Sequence, residues 1–325
     1  MTSKIFITGS TGFVGRYLTK LLIQKGYELV CLTRGRSQKT SRKMITLTAK
    51  EEDFISKEFL MNAVNNCDAV IHLAGIADSN FINNQSGIDE VFKINEDFTI
   101  KLFSAAQESN IKKFIFMSTI KVCGEYTEGL PYTENTLHVV NPKNPYVLSK
   151  IKAENGLIRD YYDVEDHNHR LLSIIRPPII YGEGIKGNIK TLIKIIKKGF
   201  PLPTTQLNNK RSMISIYNLS DLILRILESQ VSGVVRSCCK DTDITTKDLV
   251  RKIGFFLDKS KPDFYFPKNL LKVGGVIFKK TDMINKLTEP LIVDDTKTRE
   301  IFNWKPCVDF DTGMNKTINS FVNAK

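Results

Sequence analysis

The chain lacks any cysteine arrangement that would build a metal centre or a disulfide framework. Its six cysteines, Cys31, Cys67, Cys123, Cys238, Cys239 and Cys307, show no ligand spacing, and reduced thiols in a reducing compartment suit them best. The four histidines are equally unspaced for ligation, so no metal is expected. No apolar run is long enough to span a bilayer. The N-terminus has no charged region leading into an apolar stretch and a cleavage site. An integral membrane segment and an export signal are thus not expected, and a cytoplasmic protein is. Lys and Arg number 47 against 35 Asp and Glu, a formal net charge of +12. Such a field favours anionic ligands. No long basic run interleaves with aromatics, which argues against nucleic acid as a partner. Repeats and low-complexity tracts are missing too.

What is present is an ordinary globular composition over 325 residues, 42% hydrophobic and 25% charged. Short apolar runs at Lys4–Thr8, Glu28–Thr33, Asp68–Ala74, Lys112–Ser118 and Leu171–Ile175 read as strands. Helical segments lie between them, from about Phe13 to Lys25, at 88–108 and at 146–162. Strands alternating with helices predict an α/β fold with a parallel sheet covered on both faces. Pro177-Pro178 ends the alternation. Residues 1–176 plus about 214–230 are expected to form a doubly wound domain. Residues 177–213 plus about 231–325 are expected to form a smaller substrate lobe. Pro267 to Lys280 is amphipathic and basic; it is expected to pack on its own domain, with contact at a membrane surface as the alternative.

Gly9-x-x-Gly12-x-x-Gly15 follows the first strand and opens a helix at Phe13 and Val14. Glycines there let the backbone approach a pyrophosphate, and the helix N-terminus offers N–H groups to its charge. At the end of the second strand, where an acid would bind the adenosine ribose, stands Thr33-Arg34-Gly35-Arg36. With no carboxylate to repel a 2′-phosphate and a guanidinium able to pair with one, NADP(H) is favoured over NAD(H). Tyr146 and Lys150 stand four residues apart on a predicted helix, and so share a face. A nearby ammonium is expected to lower the phenol's pKa and let it exchange a proton. Thr119, at a strand end, can hydrogen-bond the reacting oxygen. Cys123 has no adjacent base and reads as a buried small residue, and His72 as a packing residue.

The glycine spacing resembles that of the short-chain dehydrogenase/reductase superfamily. With the catalytic set, the chain resembles its extended branch, the NAD-dependent epimerase/dehydratase family, nearly end to end. Asp53-Phe54 is similar to the adenine-contacting pair of such enzymes. Asp68 through Leu73-Ala74-Gly75 is similar to the strand and turn beside the cofactor, and Ser118-Thr119 through Gly124 to the segment bearing the catalytic hydroxyl. Asp294/Asp295 through Trp304 and Pro306 resembles the C-terminal signature. The resemblance implies a Rossmann-type domain, a nicotinamide cofactor that Pro177 also touches, a substrate lobe and a homodimer formed through helices near 88–108 and 146–162.

Dehydratases of that family place Asp-Glu after the catalytic Thr, and this chain has Ile120 and Lys121. Dehydration is therefore not expected. The segments Arg176 to Asn188 and Asn209 to Arg211 resemble the substrate-lobe segments of UDP-hexose 4-epimerases and of UDP-4-keto-6-deoxy-N-acetylhexosamine reductases. That likeness assigns Asn188 and Arg211 to the diphosphate of a UDP-sugar. The favoured expectation is a 4-reductase feeding surface polysaccharide assembly. The alternatives are a UDP-hexose or UDP-N-acetylhexosamine 4-epimerase, an aldehyde or aromatic-ketone reductase, and a non-enzymatic cofactor-sensing relative.

Overall fold

The computed structural model describes residues 3–34, 43–77, 84–140, 142–164, 169–267, 269–271, 273 and 281–323. Most of the basic amphipathic stretch from Pro267 to Lys280, and Gly35-Arg36, lie outside the described residues.

Seven strands form one sheet: β1 (Lys4–Thr8), β2 (Glu28–Arg34), β3 (Met44–Ala49), β4 (Ala69–His72), β5 (Lys113–Met117), β6 (Leu171–Arg176) and, counting past two lobe strands, β9 (Gly233–Cys238). Their spatial order is β3-β2-β1-β4-β5-β6-β9, and every pairing is parallel. Parallel pairing needs long crossovers, and helices supply them. This is the expected doubly wound Rossmann-type α/β fold, with the chain reversing direction across the sheet between β1 and β4.

Because successive strand side chains point to opposite faces, each strand feeds two cores. Phe6 joins Val70, Phe114, Leu60, Leu102 and Leu157 on the face covered by α2 (Lys57–Val64), α4 (Phe98–Glu108) and α5 (Pro145–Tyr162). Its neighbours Ile5 and Ile7 join Leu18, Leu22, Leu219 and Ile223 on the face covered by α1 (Phe13–Gln24) and α7 (Ile216–Glu228). The helical run expected over 88–108 is divided. After α3 (Gln85–Phe92), a wider turn over Lys93–Asp97 precedes α4.

A second sheet carries β7 (Ile179–Tyr181), β8 (Lys210–Ser215) and β10 (Thr242–Thr245) in the order β10-β8-β7. It packs with α6 (Gly187–Lys197) and α8 (Thr246–Phe256) around Tyr181, Ile193, Met213 and Ile253. The expected lobe boundary near 231 needs correction. β9 is hydrogen-bonded along β6, Leu171 opposite Gly233 through Arg176 opposite Cys238, so 233–238 belongs to the large sheet. Phe302 and Trp304 also bury in the α1–α7 core. Local patterning cannot show which distant strand a Val-Val segment will join. Among the described residues, no helix is long and apolar enough to cross a membrane.

Candidate active site

The strand ends of β1, β4, β5 and β6 converge on one edge of the sheet. Gly9 leaves β1 with φ of +73°, and a Cβ there would stand 2.7 Å from the Ala74 amide nitrogen. At Gly15 a Cβ would strike the Gly9 carbonyl oxygen and lie 2.8 Å from the Ser10 Cα. The turn therefore folds back on its own helix start, and only hydrogen fits. Gly12 is the N-cap residue of α1, no side chain caps that terminus, and its first turn contains no acidic residue. An uncapped helix start behind a bare backbone cradle fits a pyrophosphate. Val14 packs into the α1–α7 core. Phe13 faces the lobe core instead and lines a separate cavity of about 490 Å³ beside Arg16 and Tyr17.

A buried relay ties the β1 and β4 ends together. The Thr99 hydroxyl donates to the Asn95 carbonyl at 2.8 Å, so it accepts from His72 Nε2 at 2.8 Å. His72 Nδ1 then accepts the Thr8 hydroxyl at 2.6 Å, and Thr8 in turn accepts the Ala74 amide. Burial, then Lys150, push the His72 pKa well down. The imidazole is a neutral packing group, as its sequence context suggests.

Tyr146 and Lys150 reach the site from α5, whose start is set by Asn144. Its Oδ1 accepts the Tyr146 amide at 3.0 Å, with Pro145 in the first turn. A cavity of about 250 Å³ is lined by Leu73, Gly75, Ala77, Met117, Ser118, Thr119, Tyr146, Lys150, Pro177, Pro178 and Ile180. The structure thus gathers the predicted catalytic trio with three predicted cofactor residues, Leu73, Gly75 and Pro177.

The electrostatics differ from the sequence expectation. Burial pushes the Tyr146 phenol up to about 12, and the Thr119 hydroxyl, hydrogen-bonded to it, pulls it partly back. Lys150 does not lower it. The ammonium donates to the Met117 carbonyl at 2.8 Å and sits 4.4 Å over the Phe116 ring. Burial in turn pushes Lys150 down to about 7, against the attraction of Glu154. Between about 7 and the ordinary lysine value of 10.5, the unfolded chain holds a proton that the folded one lacks. Stability from this group therefore rises with pH across that window and is lost as pH falls through about 7. Lys150→Met should accordingly raise the Tm of the cofactor-free protein more below neutrality than at alkaline pH, read by thermal unfolding at both.

The predicted cofactor residues Phe54, Asp53 and Arg34 do not line this cavity. Phe54 is 5% exposed in the core against Phe98, while Asp53 accepts the Lys50 amide at 2.7 Å. Arg34 is engaged at the end of β2, where its guanidinium donates to Glu90 at 3.1 Å. On the lobe side, Arg211 is buried on β8 and donates to the Glu289 carbonyl at 3.0 Å. Asn188 is exposed in the first turn of α6. Neither lines the cavity around Thr119, Tyr146 and Lys150.

The family described as "NAD dependent epimerase/dehydratase family" matches residues 5–237. The chain belongs to this family. It is an enzyme, and its curated relatives agree along its length. A UDP-glucose 4-epimerase of Vibrio cholerae is 32% identical over 100% of this chain and 97% of its own. An N-acetyl-alpha-D-glucosaminyl-diphospho-ditrans,octacis-undecaprenol 4-epimerase of Escherichia coli O157:H7 is 26% identical over 89% of this chain and 82% of its own. Among solved structures, the UDP-N-acetylglucosamine 4-epimerase from Bacillus cereus superposes with a TM-score of 0.75 at 20% identity, over 100% of this chain and 98% of that one.

Sequence reasoning missed two supporting residues. Asn95, buried in the wide turn over Lys93–Asp97, accepts the Ile76 amide at 2.7 Å and donates to the Ile76 carbonyl and to Ser149, both at 3.0 Å. It straps the loop after β4 onto α5. Glu154 continues the four-residue spacing of Tyr146 and Lys150, a signal that was visible.

Proposed function

We propose that this enzyme transfers hydride at C4 of a UDP-linked hexose, and that it works as a UDP-hexose or UDP-N-acetylhexosamine 4-epimerase. The observation that carries the reading is the single cavity holding Thr119, Tyr146 and Lys150, in a chain similar over its whole length to a 4-epimerase. The Gly9–Gly15 cradle and the uncapped start of α1 would hold a nicotinamide dinucleotide, which supplies the hydride acceptor and donor when bound. As phenolate, the Tyr146 oxygen would take the proton from the C4 hydroxyl when hydride leaves C4, and as phenol it would give that proton back when hydride returns; this oxygen is the one that meets Thr119. Thr119 orients that oxygen, and Lys150, on turning from the Met117 carbonyl, would hold positive charge beside it. Arg211 and Asn188 anchor the diphosphate, and the sugar would turn over on that anchor between hydride removal and return. A homodimer through the helices near 88–108 and 146–162 is part of the proposal, and sedimentation equilibrium reads it.

A second reading, reduction of a UDP-4-keto-6-deoxy-N-acetylhexosamine with NADPH, is favoured by the missing acid after β2. The Arg34 guanidinium rests on Glu90 in a half-exposed pair, weak enough for a phosphate to replace. Interconversion of UDP-glucose and UDP-galactose, or of their N-acetyl forms, without added reductant supports the epimerase. NADPH consumed one for one with a 4-keto sugar supports the reductase. If the reductase reading holds, Arg34→Ala should weaken NADPH about 10-fold while sparing NADH, since one charge-assisted contact is lost. Steady-state KM values for the two cofactors decide that point.

A further inference from the structure

We propose that Glu154 is the positioning residue of this site, and that it acts through Ser118 to set Thr119 against Tyr146. The inference rests on the reading that Thr119, Tyr146 and Lys150 carry the chemistry.

Glu154 stands on α5 one turn beyond Lys150 and two beyond Tyr146, on the same face. Its side chain is wholly buried. Three side chains converge on it from three other parts of the fold. From the end of β5, the Ser118 hydroxyl bonds Oε1. From the end of β6, Arg176 donates Nη2 to Oε2 at 2.6 Å and Nε to both oxygens at 3.2 Å. From the loop before α5, His138 Nε2 lies 2.9 Å from Oε2, and Arg176 Nη1 reaches the Thr136 carbonyl of the same loop at 3.1 Å. Cys123 adds a weaker contact with Arg176 Nη1 at 3.6 Å.

Burial works against a charge here, yet the His138, Arg176 and Ser118 contacts hold the Glu154 carboxyl down at about 2. It is a fixed anion in a closed space. Such a pair is a poor device for stability alone, because apolar side chains of similar volume pack as well or better. What it offers is geometry. A carboxylate with both oxygens committed cannot rotate without breaking a charged hydrogen bond.

The linkage to the reacting groups is one residue long. Ser118 is pinned by its hydroxyl to Glu154 and by its amide to the Ile175 carbonyl at 2.8 Å. Thr119 follows directly, and its hydroxyl meets Tyr146. Arg176 directly precedes Pro177 on the cavity wall. Loss of the Ser118 bond removes one tie between the β5 end and α5, leaving Lys150 on the Met117 carbonyl, and the Thr119–Tyr146 contact then loosens.

Ser118→Ala tests this, because it leaves the Glu154–Arg176 pair intact. It should lower kcat on the order of 10-fold, the worth of one charge-assisted hydrogen bond, with KM for the sugar nucleotide within about twofold and Tm close to wild type. Ser118→Thr, which restores the hydroxyl, should recover most of the rate. Should Ser118→Ala fold poorly, the double variant Glu154→Met with Arg176→Met removes the anion without stranding a buried cation, and it should fold yet lose kcat by at least as much. Wild-type kcat in Ser118→Ala, or in the folded double variant, overturns the proposal and leaves the functional reading standing. Undiminished kcat in Tyr146→Phe, run alongside, would overturn both.

Discussion

Tyr146→Phe should lower kcat by about 10²–10⁴-fold, the usual worth of a positioned proton-transfer group. The substitution removes one oxygen from a residue whose ring packs beside Val147 and Ile151 on the buried side of α5, so the fold should be indifferent. Cofactor affinity should also hold, because the Gly9–Gly15 cradle and the Lys150 ammonium are untouched. The expected signature is a collapsed kcat with little change in KM, which identifies a group acting in the transition state. A variant with half the wild-type rate would remove the phenol from the mechanism. Burial, which pushes the phenol up to about 12, sharpens the expectation. Protonated Tyr146 is a ready donor, but it can accept a proton only once a positive charge stands beside it. The Lys150 ammonium, now on the Met117 carbonyl, lines the same cavity and would supply that charge on turning to the phenol.

Gly15→Ala should abolish detectable dinucleotide binding, and destabilise the fold by about 1–3 kcal/mol as an overpacked site does. The added methyl meets backbone, the Gly9 carbonyl and the Ser10 Cα, and neither can rotate away as a side chain would. The loop must open, and the helix start then no longer faces the phosphates. Gly26→Ala is the matched control. Gly26 has φ of +97° with nothing near its would-be Cβ, so it should cost only backbone strain, about 1–3 kcal/mol, and leave cofactor affinity unchanged. Fluorescence titration with NADH and NADPH on both variants separates the two effects. If Gly15→Ala binds as wild type does, the cradle is not where the pyrophosphate sits.

The features legible before folding were those written in short stretches of chain. Gly9, Gly12 and Gly15 announce a phosphate turn because backbone clearance is a local demand. Tyr146 and Lys150 announce a shared face because helical periodicity is local too. The alternation of apolar runs carried the doubly wound architecture for the same reason. Other parts were hidden. β3 lies on the outer edge of the sheet with a half-exposed pattern, so its apolar signal is weak. β9 reads as part of the lobe from its sequence, because nothing local marks its pairing with β6. The partners of Glu154 come from Ser118, His138 and Arg176, and no periodicity links those positions.

The amino-acid sequence alone determined the kind of chemistry and the ligand class, because a dinucleotide turn and a proton-relay pair are each encoded within a few consecutive residues. Tertiary structure alone decided how the reacting groups are held. It turned Lys150 toward a carbonyl rather than the phenol, gave Arg34 to Glu90, and brought two strand ends and a loop onto one buried carboxylate. The physical reason is range. Steric clearance and helical pitch act over neighbouring residues, whereas burial and ion pairing depend on which distant segments the closed sheet brings within 3 to 4 Å of one another.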